Sequence, residues 1–559
     1  MRDARSPVAL AAVVWLASQR GLPAAPDAAL TRRVDSLFAS YDRRDSPGCA
    51  LAVIHKSATV YTRGYGMASL ELQVPISPRT VFDIGSTAKQ FTAASILLLA
   101  RDGKLSIDDD VRKFIPELPD YGATVTIRNL LQHTSGIPDY IDLLLLAGAR
   151  TEDVVTDEEA LHLLVLQPSL EFPPGSAHVY SNSGFFLLSL VVQRSSGQSL
   201  GDFARERVFA PLGMEQTGYV HDHTTIVPGH AIGYARSKGG GFRLDSSNWE
   251  QNGDGGLQTT VEDLVRWDQN FYDAKVGGRS LVDTLQSTGV LRSGKPISYA
   301  MGLRVDTYRG LKRVRHGGSW AGFRAELLRF PEERFSVATL CNLADASAAN
   351  LARQVAEIYL DQRLSPETPA KVVPIASSPP EWLVGAEKLY WSRETDRVCS
   401  ISAKGGALEY NEDAEKIELV PTSVGQWQSR SGSLSITLRD PASDIELGSS
   451  GADPVAFQPV DRWRPAPSEL AAYAGSYWCR ELESTYTIRI AGGRAVLVTR
   501  YGRNEPLEPV FPGAFRSDLA GLIRFPRNRN EVSGFEVLSG RTRLAFRRLS
   551  NATQYSPPK

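Results

Sequence analysis

The sequence predicts an α+β protein in which a large first domain is followed by two small antiparallel β domains. Two apolar runs, Ser86 to about Arg101 and Phe185 to Arg194, have the length and composition of buried helices. Two later runs, 323–330 and 335–340, are strand-like and are joined by a turn. Beyond residue 380 the chain consists of short alternating segments separated by turn residues, a pattern typical of antiparallel β structure.

The composition is that of a protein with a sizeable core. The chain has 559 residues, of which 42% are hydrophobic and 22% charged, which allows one large domain and one or two smaller ones. A net charge of −1 argues against a nucleic-acid-binding surface, and no apolar run approaches the length that spans a membrane. Residues 1–25 combine Arg2 and Arg5 with a short apolar run that ends before Ala24-Ala25. We therefore predict a secretory signal peptide and a secreted or periplasmic protein.

The first predicted helix begins with Ser86-Thr87-Ala88-Lys89. Residues three apart share a helix face, so the Lys89 amine can stand beside the Ser86 hydroxyl. A helix start also presents unpaired N–H groups and a partial positive charge, which favour the anion that forms when the hydroxyl loses its proton. The pair fits an activated nucleophile, although a Ser N-cap followed by a solvated Lys explains the motif equally well.

A second motif, Tyr180-Ser181-Asn182, follows a segment rich in Pro, Gly and Ser that predicts a loop. Catalytic side chains are often presented on such loops. Tyr180 can relay a proton to or from Ser86, and Asn182 can hold the acyl amide of a substrate while orienting Lys89. Turn and capping roles are the alternative for both residues.

A third motif, His316-Gly317-Gly318-Ser319, precedes the two strand-like runs. Glycines weaken a strand, so two in succession indicate that another group approaches the backbone closely. We expect an edge strand whose Ser319 N–H points at Ser86 and completes an oxyanion hole with the Ser86 N–H. A simple bulge is the alternative.

Taken together, these motifs resemble those of the penicillin-recognising serine hydrolases: class C β-lactamases, D-alanyl-D-alanine carboxypeptidases, D-aminopeptidases and related esterases. Supporting stretches are similar as well: Gly103 to Asp109, Leu130 to Pro138, Pro211 to Met214, and Gly256 to Leu264. The resemblance implies a β-lactamase/transpeptidase-like domain, with an antiparallel sheet flanked by helices and a helical lobe. It further implies the following roles: Ser86 as nucleophile, Lys89 and Tyr180 as the proton-transfer pair, and Asn182, His316, Gly318 and Ser319 as substrate-binding residues.

One departure from the family pattern bears on the substrate. β-Lactamases and carboxypeptidases of this family generally carry Lys-Thr-Gly where this chain has His316-Gly317-Gly318. The lysine pairs with the substrate carboxylate, whereas a histidine is largely neutral near pH 7. Arg315 or Arg324 can replace the missing charge. His-x-Gly resembles the D-aminopeptidase and esterase branches.

We therefore expect a serine hydrolase that forms an acyl-enzyme on a small ester, amide or short peptide, with D-aminopeptidase-like or esterase activity. A β-lactamase or D-alanyl-D-alanine carboxypeptidase is the alternative on the same site. A non-catalytic binding protein is a further alternative. The sequence leaves the oligomeric state open.

The sequence also predicts the domain limits. The hydrolase domain spans 27–362, a linker rich in Pro and Ser spans 363–380, and two β-barrels span 381–463 and 467–552. The two β units are related by a repeat, since Tyr390-Trp391-Ser392-Arg393-Glu394 matches Tyr477-Trp478-Cys479-Arg480-Glu481. The pattern Tyr-x-Gly-x-Tyr at 473–477 resembles the lipocalin-like barrels that follow the catalytic domain in D-aminopeptidase-type relatives.

Cysteines and histidines outside the motifs carry little functional signal. Cys49 and Cys341 lie in strand-like runs. We favour two buried free thiols over a disulfide, because a chain of this size can form a stable core without covalent cross-links. The resemblance nevertheless makes the first and last strands neighbours, which permits a bond. His221-Asp222-His223, with His230 nearby, has the look of a ligand pair, but the surrounding Thr, Pro and Gly predict a solvated loop. We predict no metal and no cofactor.

Overall fold

The computed structural model describes residues 28–366, 378–412, 415–449, 454–499, 502–526 and 532–550. The predicted signal peptide lies outside these ranges, and so do residues 367–377 of the predicted linker. The domain limits inferred from the sequence stay predictions.

The first domain mixes helices and short strands. Its helices are α1 (Ala28–Phe38), α2 (Lys89–Arg101), α3 (Ile127–Leu131), α4 (Tyr140–Ala147), α5 (Asp157–Val165), α6 (Asn182–Ser196), α7 (Leu200–Ala204), α8 (Ala210–Leu212), α9 (Val261–Asp273), α10 (Gly278–Leu285) and α11 (Ala348–Tyr359). Its strands are β1 (Cys49–His55), β2 (Ala58–Tyr65), β3 (Met67–Ser69), β4 (Val74–Pro75), β5 (Phe82–Asp83), β6 (Val154–Val155), β7 (Gly218–Tyr219), β8 (Tyr234–Arg236), β9 (Phe242–Leu244), β10 (Asn248–Trp249), β11 (Leu257–Thr259), β12 (Arg304–Tyr308), β13 (Leu311–Trp320), β14 (Phe323–Phe330) and β15 (Phe335–Cys341).

An antiparallel sheet of six strands, in the order β12-β13-β14-β15-β1-β2, forms the centre of this domain. Successive residues of β1 point to opposite faces. Leu51 and Val53 enter the core shared with α1 and α11, whereas Ala50 and Ala52 enter the core shared with α2, α6 and α9. Both faces are therefore covered, so every residue of β15 and every residue of β1 except His55 is buried.

Helix α2 passes through the interior of the helical lobe, beside α6. Apart from its last two residues, the whole of α2 is buried. Its buried polar side chains are satisfied inside the protein, since Gln90 Nε2 donates to the Thr87 carbonyl and Ser95 Oγ to the Phe91 carbonyl. This placement carries Lys89, at the first turn of α2, into the protein interior.

Cys49 and Cys341 form a disulfide, so the preference for free thiols was wrong. Strands β1 and β15 are neighbours in the sheet, and their register places the two residues directly opposite each other. The chain separation of 292 residues hides this pairing from any local reading of the sequence.

The C-terminal region folds into two closed antiparallel barrels of eight strands each. The first contains β16 (Glu387–Trp391), β17 (Val398–Lys404), β18 (Ala407–Glu412), β19 (Glu415–Ser423), β20 (Gln426–Ser429), β21 (Leu434–Thr437), β22 (Ile445–Ser449) and β23 (Val455–Val460). After α12 (Pro467–Ala471), the second contains β24 (Gly475–Cys479), β25 (Ser484–Ala491), β26 (Arg494–Val498), β27 (Asn504–Phe511), β28 (Ala514–Ser517), β29 (Gly521–Arg524), β30 (Gly534–Ser539) and β31 (Thr542–Arg548). The predicted α+β architecture with two barrels is confirmed.

The second barrel docks on the helical lobe. Ser484 Oγ donates to the carbonyl of Ala147 at 3.2 Å, and Gln167 Nε2 donates to the carbonyl of Glu481 at 2.8 Å. The β30–β31 turn donates the Arg541 N–H to Glu171 at 2.8 Å. The first barrel packs in turn on the second, for example through Trp391 and Phe511. None of the helices described in the structure has both the length and the apolar character that a membrane crossing requires.

Candidate active site

Ser86 lies in a 3₁₀ turn, Gly85–Ala88, that leads into α2. The sequence predicts a helix from Ser86 onward, and the regular α-helix begins three residues later, at Lys89. The Gly85 N–H donates to Asp83 Oδ1 at 2.7 Å, and Gly85 has a φ of +46° that favours glycine. A Cβ at Gly85 would also lie 2.8 Å from the Ser319 backbone nitrogen. The turn is thus held tightly against β13.

Lys89 is fully buried and touches the predicted nucleophile. Its Nζ lies 3.0 Å from Ser86 Oγ, 2.9 Å from Asn182 Oδ1 and 2.8 Å from the Asp254 carbonyl oxygen. The rings of Tyr180 and Phe185 lie 5.0 and 5.6 Å from the same nitrogen. A neutral amine held here accepts the Ser86 proton while still donating to the other two oxygens. The geometry is that of a serine with an adjacent base.

Asn182 is the first residue of α6 rather than a loop residue, and its orientation is fixed by a carboxylate. Its backbone N–H and its Nδ2 both donate to Asp139 Oδ2, at 2.7 and 2.9 Å. Asp139 is also the N-cap of α4 and accepts from the Ile141 N–H. Burial raises the pKa of Asp139. The sequence analysis missed Asp139; the cap position before an apolar helix was visible, but the contact with Asn182 was not.

Tyr180 is part of the site, although its hydroxyl is not engaged. Its ring stacks on the buried His133 at a centroid distance of 4.2 Å and is 38% exposed. Among the described residues, neither Ser86 nor Lys89 forms a hydrogen bond with the Tyr180 hydroxyl. Catalytic hydrogen bonds often tighten only when substrate binds, so the ring position is compatible with the expected proton relay.

The third motif packs against the Ser86 turn. The expectation that β13 is an edge strand was wrong, because β13 is the second strand of the sheet. Strand β12 pairs only with residues 311–315, however, so residues 316–320 are not paired with it on that side. A Cβ at Gly318 would lie 1.8 Å from the Ile84 carbonyl oxygen, so only glycine permits this approach. Thr87 Oγ1 donates to the carbonyl of His316 at 3.3 Å. The Ser319 backbone nitrogen therefore lies beside the Ser86 turn, as the expected oxyanion hole requires.

His316 is a neutral imidazole. Its Nδ1 donates to the carbonyl of Gly317 at 2.7 Å, and its Nε2 accepts from the Tyr299 hydroxyl at 2.9 Å. Burial, with the charge of Lys89 nearby, lowers the pKa of His316 to about 3. The residue cannot provide the permanent positive charge of a lysine at this position.

Two cavities flank Ser86, and both are bordered by Ser86, Tyr180 and Ser319. The first, about 660 Å³, is on the Asn182 side and is lined by Asp83, Asp254 and the paired indoles of Trp249 and Trp320. The second, about 540 Å³, is on the His316 side and is lined by Arg304, Arg315 and Arg324. The cleft thus has acidic groups on one side of the nucleophile and basic groups on the other.

The sequence analysis also missed Asp254, in the glycine-rich loop between Asn252 and Gly256. It is buried, accepts from the Tyr140 hydroxyl at 3.1 Å, and keeps its Oδ1 without a hydrogen-bond partner among the described residues. Burial raises the pKa of Asp254 to about 7 and that of Asp83 to about 6. A cation in the first cavity would favour the ionised form of both.

The predicted solvated loop holds one candidate metal-binding group. His221, Asp222 and His223 are all exposed, as expected of a loop. Within the described ranges, Asp222, His223 and Glu250 have donor atoms within 4.8 Å of one another, and His223 Nδ1 is hydrogen-bonded to Glu250. One imidazole and two carboxylates make a possible cation site, but exposed acidic groups commonly hold no ion. The absence of a metal stays a prediction.

Comparison with known proteins identifies the family. A family model described as β-lactamase matches residues 31–360. The D-aminopeptidase of Gluconobacter oxydans is 30% identical over 456 residues, which are 81% of this chain and 83% of that protein. The D-aminopeptidase of Cereibacter sphaeroides (strain KD131) is 28% identical over 492 residues, 87% of this chain and 90% of that protein.

Solved structures show the same fold. The octameric penicillin-binding protein homologue of Pyrococcus abyssi aligns with a TM-score of 0.55 and 22% identity, over 77% of this chain and 99% of that one. The D-amino acid amidase of Ochrobactrum anthropi, complexed with L-phenylalanine amide, aligns with a TM-score of 0.52 and 22% identity, over 60% of this chain and 100% of that one. The chain therefore belongs to the β-lactamase family and is a serine hydrolase.

Proposed function

We propose that this hydrolase releases an amino-terminal D-amino acid from amides and short peptides, as a D-aminopeptidase does. The observation that carries the proposal is the first cavity: beside Asn182 it offers the half-buried carboxyl of Asp83 and the buried carboxyl of Asp254, and none of its lining residues in the described chain is a lysine or arginine. An acyl group with a free ammonium fits this chemistry. The D configuration is carried over from the relatives named D-aminopeptidase.

The proposed reaction has two steps. Ser86 Oγ attacks the amide carbonyl while Lys89 Nζ accepts its proton, and the N–H groups of Ser86 and Ser319 stabilise the oxyanion. The carbon–nitrogen bond then breaks as the proton passes to the leaving amine, with Tyr180 beside its path. Water, deprotonated by the same groups, attacks the acyl-enzyme and releases the amino acid. Lys89 and Tyr180 are treated as one coupled pair.

A substrate panel tests the proposal. D-Alanine p-nitroanilide is expected to be cleaved faster than its L enantiomer, and N-acetylation is expected to abolish cleavage, because the acetyl group removes the charge that the first cavity binds. Fast nitrocefin turnover without D-alanine p-nitroanilide cleavage would instead indicate a β-lactamase.

The nucleophile is tested separately. A fluorophosphonate should add its mass to the peptide that contains Ser86 and to no peptide of Ser86→Ala. The matched control is Ser135→Ala, which removes a buried hydroxyl whose hydrogen bond in the described part of the chain is the one it accepts from the nearby Ile137 N–H. Labelling of Ser86→Ala at the rate of the parent chain would refute the assignment.

We also propose that the protein is exported. The basic and apolar pattern of residues 1–25 supports this, and so does the Cys49–Cys341 disulfide, because such bonds persist in oxidising compartments. Mass spectrometry of the protein purified from periplasm or medium should give an amino terminus near residue 26. A full-length cytosolic protein would contradict export.

A further inference from the structure

Helix α4 is held at its C-terminal end by the second barrel. The Tyr486 hydroxyl donates to the carbonyl of Leu146. Ser484 Oγ donates to the carbonyl of Ala147, the last residue of the helix, at 3.2 Å. The last carbonyls of a helix have no acceptor role inside the helix, so they need partners from outside it. Two hydroxyls of the barrel therefore complete the hydrogen bonding of α4.

Both hydroxyls belong to side chains that are fixed within the barrel. Ser484 and Tyr486 are two residues apart on β25, so they lie on the same face of the strand. Both are buried, and the Tyr486 ring stacks on Phe546 at a centroid distance of 4.5 Å. The apolar residues of α4 and of the barrel belong to one continuous core. The contact with α4 is thus made by buried side chains of the barrel rather than by its surface.

The N-terminal end of α4 lies in the active site. Its N-cap, Asp139, fixes Asn182 through two hydrogen bonds, and Asn182 Oδ1 lies 2.9 Å from Lys89 Nζ. Its first residue, Tyr140, donates its hydroxyl to Asp254 Oδ2 at 3.1 Å. The Asp254 carbonyl oxygen in turn accepts from Lys89 Nζ at 2.8 Å. Two of the hydrogen bonds that hold the lysine therefore lead back to the start of α4.

The two ends of α4 are close together. The helix has eight residues with a rise of about 1.5 Å each, so it is about 12 Å long. A helix this short takes its position from its contacts and not from its own stability. It ends at Gly148, which has a left-handed φ of +103°. A shift of the C-terminal end is therefore expected to move Asp139 and Tyr140 as well.

We propose that Ser484 and Tyr486 of the second barrel are positioning residues that act on the active site through α4. By holding one end of the helix, they keep Asn182 and Lys89 oriented for the acylation of Ser86. Neither residue lines the two cavities beside Ser86, so neither touches the substrate. The inference goes beyond the proposed function, because every acyl donor depends on the same lysine.

The experiment measures how fast a fluorophosphonate labels Ser86 in the full-length variants Ser484→Ala and Tyr486→Phe. Each change removes one hydroxyl, and the phenylalanine ring keeps the stacking on Phe546. The limiting rate constant of labelling is expected to fall about threefold or more in each variant, which is the effect of one lost hydrogen bond. The probe concentration that gives half of the limiting rate should stay the same. Hydrogen exchange should become faster in the peptide that contains residues 139–147.

The matched controls are Tyr477→Phe and Ser517→Ala, which remove buried hydroxyls of the same barrel. The Tyr477 hydroxyl donates to the Tyr473 carbonyl at 2.7 Å, and Ser517 Oγ accepts from the Ala520 N–H at 3.2 Å. These hydrogen bonds lie within the barrel and do not reach α4. Both controls should lower the free energy of unfolding in urea, as the test variants do, but leave the labelling rate and the exchange of residues 139–147 as in the parent chain.

Each variant tests its own residue. A variant that labels within threefold of the parent rate refutes the positioning role of the residue it replaces. Equal slowing in the two controls would show a general effect of a weakened barrel and would overturn the proposal. Slower labelling without faster exchange of residues 139–147 would overturn the path through α4. Because the probe is not a peptide, a failure of the proposed function would show in the substrate panel and not here.

Discussion

Replacing Asp139 by alanine is expected to slow the acylation of Ser86. The Asp139 carboxylate fixes the Asn182 amide through two hydrogen bonds of 2.7 and 2.9 Å, and Asn182 Oδ1 in turn bonds to Lys89 Nζ at 2.9 Å. Without the carboxylate, the amide is free to turn its Nδ2 toward the lysine. Losing a hydrogen bond to a charged group weakens an interaction by about 1.5 to 3 kcal/mol, which corresponds to a rate about 10- to 100-fold lower.

The same substitution also removes the cap of α4. Asp139 accepts from the Ile141 N–H, and the loss of an N-cap destabilises a protein by about 1 kcal/mol. The backbone N–H and the Nδ2 of Asn182 also lose their shared acceptor, so both must be hydrated instead. We therefore expect a lower free energy of unfolding together with the slower reaction.

The assay is the rate constant of fluorophosphonate labelling, since it depends on the reactivity of Ser86 and not on peptide recognition. Urea unfolding measures the stability change independently. The matched control is Asp142→Ala, an exposed carboxylate on the same helix, which should alter neither rate nor stability appreciably. If Asp139→Ala is destabilised but labels within twofold of the parent rate, Asp139 is only a helix cap and the positioning role is refuted.

Three other substitutions test the structure around the site. Gly318→Ala should reduce ester hydrolysis more than tenfold, because its methyl group would lie 1.8 Å from the Ile84 carbonyl oxygen and force β13 off the Ser86 turn; parent-like turnover of p-nitrophenyl acetate would contradict the close approach. The double change Cys49→Ala and Cys341→Ala should lower the free energy of unfolding by about 6 kcal/mol in the chain-entropy model, because the disulfide closes a loop of 292 residues, and urea titration under oxidising conditions measures it. Burial lowers the pKa of His316 to about 3 from an ordinary 6.5, so the unfolded chain binds the extra proton between these values and the stability from this group rises with pH across that window. His316→Gln should accordingly show a flatter pH dependence of the melting temperature from pH 4 to 6, and an unchanged slope would argue against a buried neutral imidazole.

The sequence was sufficient to predict that Ser86, Lys89 and Asn182 lie close together. Each lies in a short motif, and the order of the motifs along the chain resembles that of a known family. Asp139 and Asp254 could not be predicted in the same way. Asp139 meets Asn182 across 43 residues, and Asp254 meets Lys89 across 165. The local sequence indicates a helix cap for Asp139 and a glycine-rich turn for Asp254. Their functional contacts exist only in the folded lobe.

Local sequence patterns did not give the sheet order either; only the family resemblance made the first and last strands neighbours. The runs that form β14 and β15 were predicted as strand-like segments joined by a turn, but nothing local indicates that Cys49 would lie opposite Cys341. The free-thiol prediction failed for that reason. The expectation that β13 lies at the edge of the sheet was wrong because the sequence pattern did not reveal strand β12. This strand pairs with the first half of β13. The repeat in the last third of the chain predicted the two barrels. The contact between Ser484 and Ala147 could not be predicted, because the two residues are 337 positions apart and neither segment has a pattern that indicates the other.

That contact has a consequence for biosynthesis. The lobe that presents Asn182 and Tyr180 is contacted by a barrel that is translated well after it, through Ser484, Glu481 and the Arg541 turn. At ordinary rates of synthesis, the catalytic residues emerge on the order of tens of seconds before this support does. A nascent or prematurely terminated chain carries the reactive serine and lysine on an incomplete lobe. The contacts between the lobe and the second barrel thus form only after that barrel has been synthesised.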